Sequence, residues 1–114
     1  MKSKYFTREE FACRCGCGKD TVDAELLELL DDVREHFSSP VMIKSGHMCS
    51  RYNKKTGGSI ESKHLDGKAA DIVVTGVSPF DVYDYLDQKY PDKYGIGQFP
   101  DFTHIDIRVE MARW

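Results

Sequence analysis

Two short stretches hold the residues best equipped for chemistry. In Ser62-Lys63-His64-Leu65-Asp66-Gly67-Lys68-Ala69-Ala70-Asp71 an imidazole and a carboxylate stand seven residues apart. Asp101-Phe102-Thr103-His104-Ile105-Asp106 adds a second imidazole and two further carboxylates. Two histidines and one carboxylate suit Zn²⁺, and a catalytic zinc site keeps its fourth position open for water. His64, Asp71 and His104 are the candidate ligands. Hydrolysis also needs a group that takes a proton from water and returns it to the departing amine. Asp101, three residues before His104, is the candidate base. Asp106 is placed to hydrogen-bond a ligating imidazole from behind.

These residues converge only if particular elements carry them. Residues 69–75 are rich in β-branched side chains and read as a strand. Gly95 to Phe99 and Thr103 to Val109 read as a hairpin with Pro100-Asp101 in its loop. Strand alternation puts His104, Asp106 and Arg108 on one face, and Asp71 with Val73 on one face of the other strand. If the two strands lie side by side, Asp71 and His104 meet, and a turn containing Gly67 brings His64 back to them. Upstream, Thr7 with Glu10 resembles a capping box for a short helix to Ala12. Asp23 can cap a helix to Phe37, with Leu26, Leu30, Val33 and Phe37 on one face. Val41 to Lys44 reads as a strand, Ser50 to Lys55 as a helical turn, and Ser78-Pro79 as the start of a helix to Tyr90. The expected fold is α+β: a small, mainly antiparallel sheet packed with two main helices, the zinc site in a cleft on the sheet.

The chain of 114 residues, 40% hydrophobic and 31% charged, is expected to form a single domain over 1–114 and to be a monomer. A net charge of -3 argues against nucleic acid as a partner. No apolar run approaches the roughly 18 residues of a membrane span. Met1-Lys2-Ser3-Lys4-Tyr5-Phe6 is followed by Arg8, Glu9 and Glu10 and not by the apolar core of a signal peptide. The expectation is synthesis in the cytoplasm, with action on a cell wall only after release.

Cys13, Cys15 and Cys17 alternate, and Cys49 stands apart. That spacing is poor for a disulfide between neighbours. The four could hold a second, structural metal, although zinc more often takes Cys-x2-4-Cys; the alternative is reduced thiols packed in a loop. His36 reads as a surface residue at a helix end, His47 as either a support for the site or a loop residue, and Asp81, Asp84 and Asp87 as a solvated helix face.

The chain resembles the zinc D-alanyl-D-alanine carboxypeptidases and the related phage and bacterial peptidoglycan endopeptidases. The resemblance runs through Ser45-Gly46, Tyr52-Asn53 with Gly57-Gly58, Ser62-x-His64-x-x-Gly67-x-Ala69-Ala70-Asp71, Gly95-x-Gly97 and His104-Ile105-Asp106. Phe11-x-Cys13 with Cys15-Gly16-Cys17 is similar to a small branch common in phages. The resemblance implies a zinc peptidase acting on peptidoglycan stem peptides, with His64, Asp71 and His104 as ligands, Asp101 as the catalytic carboxylate and Ser62 on the substrate side. Two activities fit it, a D,D-carboxypeptidase and an L-Ala-D-Glu type endopeptidase, the latter as a lysin. A non-catalytic zinc-binding module, as in the related hedgehog signalling domain, is the alternative.

One position departs from the pattern. The resemblance implies an arginine where this chain has Met48, and a thioether neither donates a hydrogen bond nor carries charge. Either Arg51, three residues on, takes over substrate binding, or the enzyme is slow or has a different substrate.

Overall fold

The computed structural model describes residues 3–59 and 62–114; Met1 and Lys2, part of the start read above for a signal, lie outside them. The architecture is α+β. Three helices, α1 (Ala24–Phe37), α2 (Ser50–Lys55) and α3 (Pro79–Lys89), accompany five strands. The strands are β1 (Val41–Ser45), β2 (Ala69–Val74), β3 (Gly95–Gln98), β4 (Thr103–Asp106) and β5 (Ala112–Arg113). Their spatial order is β1-β2-β4-β3-β5, antiparallel throughout except for β5, which runs parallel to β3.

Local chemistry explains the helix ends. The Asp23 carboxylate accepts from Glu25 N–H, and Ser38, in the left-handed region at φ 51°, closes α1. Ser78 caps α3 and Pro79 supplies a preset φ at its first position. The Glu10 carboxylate accepts from Thr7 N–H at 2.9 Å, so the capping pair forms, but on a 3₁₀ turn over Arg8–Phe11.

The core lies on one face of the sheet. Leu26, Leu30 and Val33 of α1 and Val82 and Leu86 of α3 are buried with Ile72, Val74, Ile96 and Ile105 from the strands. Each such side chain contributes about 1.5–3 kcal/mol by leaving water. Because alternate residues point to opposite faces, burying Ile72 and Ile105 commits Asp71, His104 and Asp106 to the other side. The helices cross-link through Asp32, which accepts from Tyr85 at 2.6 Å and pairs with Lys89 at 2.6 Å, and through His36, stacked on Tyr85.

The expected hairpin forms as β3 and β4 around Pro100-Asp101, but its second strand is shorter. The strand beginning at Thr103 stops at Asp106 and does not reach Val109. Ile107 N–H still donates to Lys68 O beside β2, but from there the Asp106 carboxylate accepts from Arg108 N–H at 3.2 Å and regular pairing ends. The chain returns on the far side of β3 as β5. Arg113 anchors that return by donating to Tyr90 O, Tyr94 O and Asp87. Asp87 is therefore an anchor and not simply a solvated residue.

Candidate metal centre

Register brings the first two donors together. Asp71 on β2 lies directly opposite His104 on β4, and His104 Nδ1 is 2.9 Å from Asp71 Oδ1. The third arrives from a 3₁₀ turn over Lys63–Asp66. Ser62 begins it, its hydroxyl accepting from His64 N–H at 3.2 Å, and Gly67 ends it at φ 68°. A Cβ on Gly67 would lie 2.4 Å from Thr21 O, so the turn needs glycine for space as well as for its backbone angle. His64 Nε2 then sits 3.4 Å from the same Asp71 Oδ1. Donor atoms of His64, Asp71 and His104 all lie within 4.8 Å of one another.

The remaining ring nitrogens are already engaged. Gly46 O accepts from His64 Nδ1–H at 2.8 Å, which leaves Nε2 as the nitrogen facing Asp71. On His104, Nε2 faces Asp106 Oδ2 at 2.8 Å, leaving Nδ1 for the cluster. Asp106 is fully buried and also binds the Arg108 guanidinium through Nε at 2.8 Å and Nη2 at 2.7 Å. Such outer partners fix tautomer and ring angle, and the donor set is one a divalent ion would take. Burial alone would raise the Asp71 pKa, but hydrogen bonds from His104 and His64 outweigh it and hold the carboxyl at about 2. Asp106 is likewise held well below the ordinary carboxylate range, its burial outweighed by His104 and Arg108. The His104 ring goes the other way: burial lowers its pKa, but the two carboxylates raise it overall.

His104 forms part of the wall of an open cleft of about 840 Å³, lined also by Ser62, Lys63, Phe99, Arg108 and Trp114. The two glycines of Gly95-x-Gly97 make room beneath it. A Cβ on Gly95 would stand 2.5 Å from both Asp106 carboxylate oxygens, and one on Gly97 2.7 Å from Trp114 Nε1. Arg108 also lies 5.1 Å from the Trp114 ring, a cation–π contact.

Asp101 is exposed in the β3–β4 loop and has no hydrogen bond or ion pair among the described residues. Of the other groups able to move protons, Glu110 lines the cleft, while His47 and Asp106 are committed. His47 is buried with Nδ1 accepting from Thr21 N–H at 3.0 Å, which makes it a brace for the loop, and Asp106 is saturated. Arg51, expected on the substrate side, is exposed on α2 and, like Asp101, is not among the residues lining the cleft, whereas Lys63 and Arg108 are. The reason lies at Met48, which is buried with its sulfur 3.9 Å from Thr56 Oγ1: position 48 packs under α2, and the helix carries Arg51 outward. Trp114 and Glu110, both at the cleft, carry no signal in the sequence: they lie outside β5, whose two residues are too few to show alternation. Arg108 was recognisable only as a neighbour on the His104 face.

A divalent-ion donor set on the wall of a substrate-sized cleft is the arrangement that metal-dependent hydrolases use. The chain belongs to the peptidase M15 family, which it matches over residues 4–106. That family comprises zinc-dependent peptidases, among them D-Ala-D-Ala carboxypeptidases and phage endopeptidases. No curated protein matches the chain significantly. Among the described residues no helix is long and apolar enough to cross a membrane.

Proposed function

We propose that this chain is a zinc-dependent peptidase that hydrolyses the stem peptides of peptidoglycan. The reading rests above all on one observation: two imidazoles and a carboxylate meet beside the cleft, each imidazole's other nitrogen already engaged. Zinc held by His64, Asp71 and His104 supplies a Lewis acid for the peptide carbonyl and the attacking water.

The chain's own residues do the rest. The Asp101 carboxylate takes a proton from the attacking water as its oxygen bonds to the carbonyl carbon. It then gives that proton to the amine as the C–N bond breaks. Lys63 and Arg108 place positive charge where negative charge develops or where a substrate carboxylate lies. Asp106 and Gly46 O hold the two imidazoles at fixed angles. Phe99 and Trp114 form apolar walls suited to short aliphatic side chains.

Digestion of purified peptidoglycan, with the new termini identified by mass spectrometry, tests this reading. Release of terminal D-Ala marks a D,D-carboxypeptidase, and new D-Glu amino termini mark an endopeptidase. Zinc binding with no new termini would assign the chain to the non-catalytic modules of this fold.

A further inference from the structure

The four cysteines take no part in the proposed peptidase chemistry. The Sγ atoms of Cys13, Cys15, Cys17 and Cys49 all lie within 4.8 Å of one another. The separations are 3.4 Å for Cys13–Cys15, 3.8 Å for Cys13–Cys49 and 3.6 Å for Cys15–Cys49. A disulfide would need about 2.0 Å, and all four cysteines are free. Four sulfurs around a zinc ion at about 2.3 Å form a tetrahedron whose edges are about 3.8 Å. The observed spacing lies close to that edge. We propose that these four cysteines hold a structural zinc ion, separate from the centre at His64, Asp71 and His104.

The backbone is shaped for this. In an extended strand, residues two apart are separated by about 6.6 Å, too far for three neighbouring sulfurs to share one ion. Here Gly16 and Gly18 take φ 84° and 89°, and Gly16 N–H donates to Cys13 O, so the loop curls. Cys13 N–H donates to Lys19 O at 2.7 Å and closes it. Arg14, between two of the cysteines, turns its guanidinium away to Glu10 O, Ala12 O and Ile43 O. That keeps its cation from competing with a metal and clamps the loop to β1. Backbone N–H groups of Cys49 and Tyr52 point at the sulfurs of Cys13 and Cys49, each at 3.4 Å, as donors do toward thiolates. Tetrahedral all-sulfur sites suit zinc, and each thiol that ligates gives its proton to solvent.

The ion would tie residues 13–17 to Cys49 and so steady the segment beginning at Gly46, whose carbonyl orients His64. That segment is bound on both sides, His47 N–H donating to Phe11 O and Met48 N–H to His64 O.

Elemental analysis of chain purified from zinc-supplemented cells tests the proposal. Wild type should carry two zinc ions, His104→Ala one, and the double variant Cys15→Ser/Cys17→Ser one. The cobalt-substituted His104→Ala variant should show intense sulfur-to-cobalt charge-transfer absorption. In intact wild type, the exposed Cys15 and Cys17 should resist a thiol reagent until a strong chelator is added. A zinc-free His104→Ala variant that remains folded, two zinc ions in the cysteine variant, or prompt reaction of the thiols in zinc-loaded wild type would overturn it.

Discussion

Asp71 and His104 face each other across β2 and β4, and a single carboxylate oxygen, Asp71 Oδ1, stands 2.9 Å from His104 Nδ1 and 3.4 Å from His64 Nε2. The site is thus built on a cross-strand pair, with only His64 supplied by a turn. Rigid elements hold donors more closely than loops do, which is what a metal centre needs.

The same pair makes metal affinity pH-dependent. A ligating nitrogen must be free of its proton, and the carboxylates beside His104 raise its pKa overall, against the effect of burial. Zinc uptake should therefore release a proton, and affinity should weaken as pH falls through the raised value. Calorimetric titration in buffers of different ionisation enthalpy measures this; an affinity that ignores pH would exclude His104 as a ligand.

Asp106 touches His104 and not the cluster itself. Asp106→Asn should weaken zinc binding about 10–100-fold by loosening the ring's orientation and lowering its basicity. Competition with a chromogenic chelator gives the constant. An unchanged constant would make the Asp106–His104 contact incidental to metal binding.

On the proposed mechanism Asp101 transfers the proton. Asp101→Asn should retain zinc and melt normally while losing on the order of 10²-fold or more in kcat. Glu110, a carboxylate that lines the cleft, is the control, and Glu110→Gln should stay close to wild type. Reversed behaviour of the two variants would move the base to Glu110.

Gly97→Ala would press a methyl group to 2.7 Å from the Trp114 indole nitrogen. Because Trp114 is partly exposed, the ring rather than the strand should give way. KM should rise several-fold, on the scale of a lost aromatic contact worth about 0.5–1.5 kcal/mol, with zinc content unchanged. Trp114 fluorescence reports the displacement; a KM like wild type would remove Trp114 from substrate binding.

Stability carries its own pH signature at Asp32. Burial would raise its pKa, but the bonds from Lys89 and Tyr85 outweigh it and keep the carboxyl below its ordinary value. A carboxylate depressed in the fold stabilises it above the unfolded pKa of about 3.9, and that contribution disappears as pH falls through the folded value. The Tm gap between wild type and Asp32→Asn should thus be open near neutrality and close in acid. A gap constant with pH would show that the charge is not what matters there.

Much of this protein was legible in the sequence because the relevant signals are local. Asp23 and Ser78-Pro79 mark helix starts, since a cap satisfies N–H groups within its own first turn. Alternation in residues 69–74 and 103–106 assigns faces, since a strand has only two. The three nitrogen and oxygen donors could be named by type and spacing alone. Their convergence could not, because it depends on β2 pairing with β4 in one register, which the burial of Ile72 and Ile105 under α1 and α3 imposes. Tertiary structure alone ended β4 at Asp106, beside its ion pair with Arg108, and brought β5 back beside β3. It also put Arg108 at the cleft and left Arg51 exposed on α2 outside its lining, with Met48 buried beneath that helix. The cysteines show the same division. Their number was plain in the sequence, but a curled backbone at Gly16 and Gly18 was needed to gather sulfurs that a strand would have kept apart.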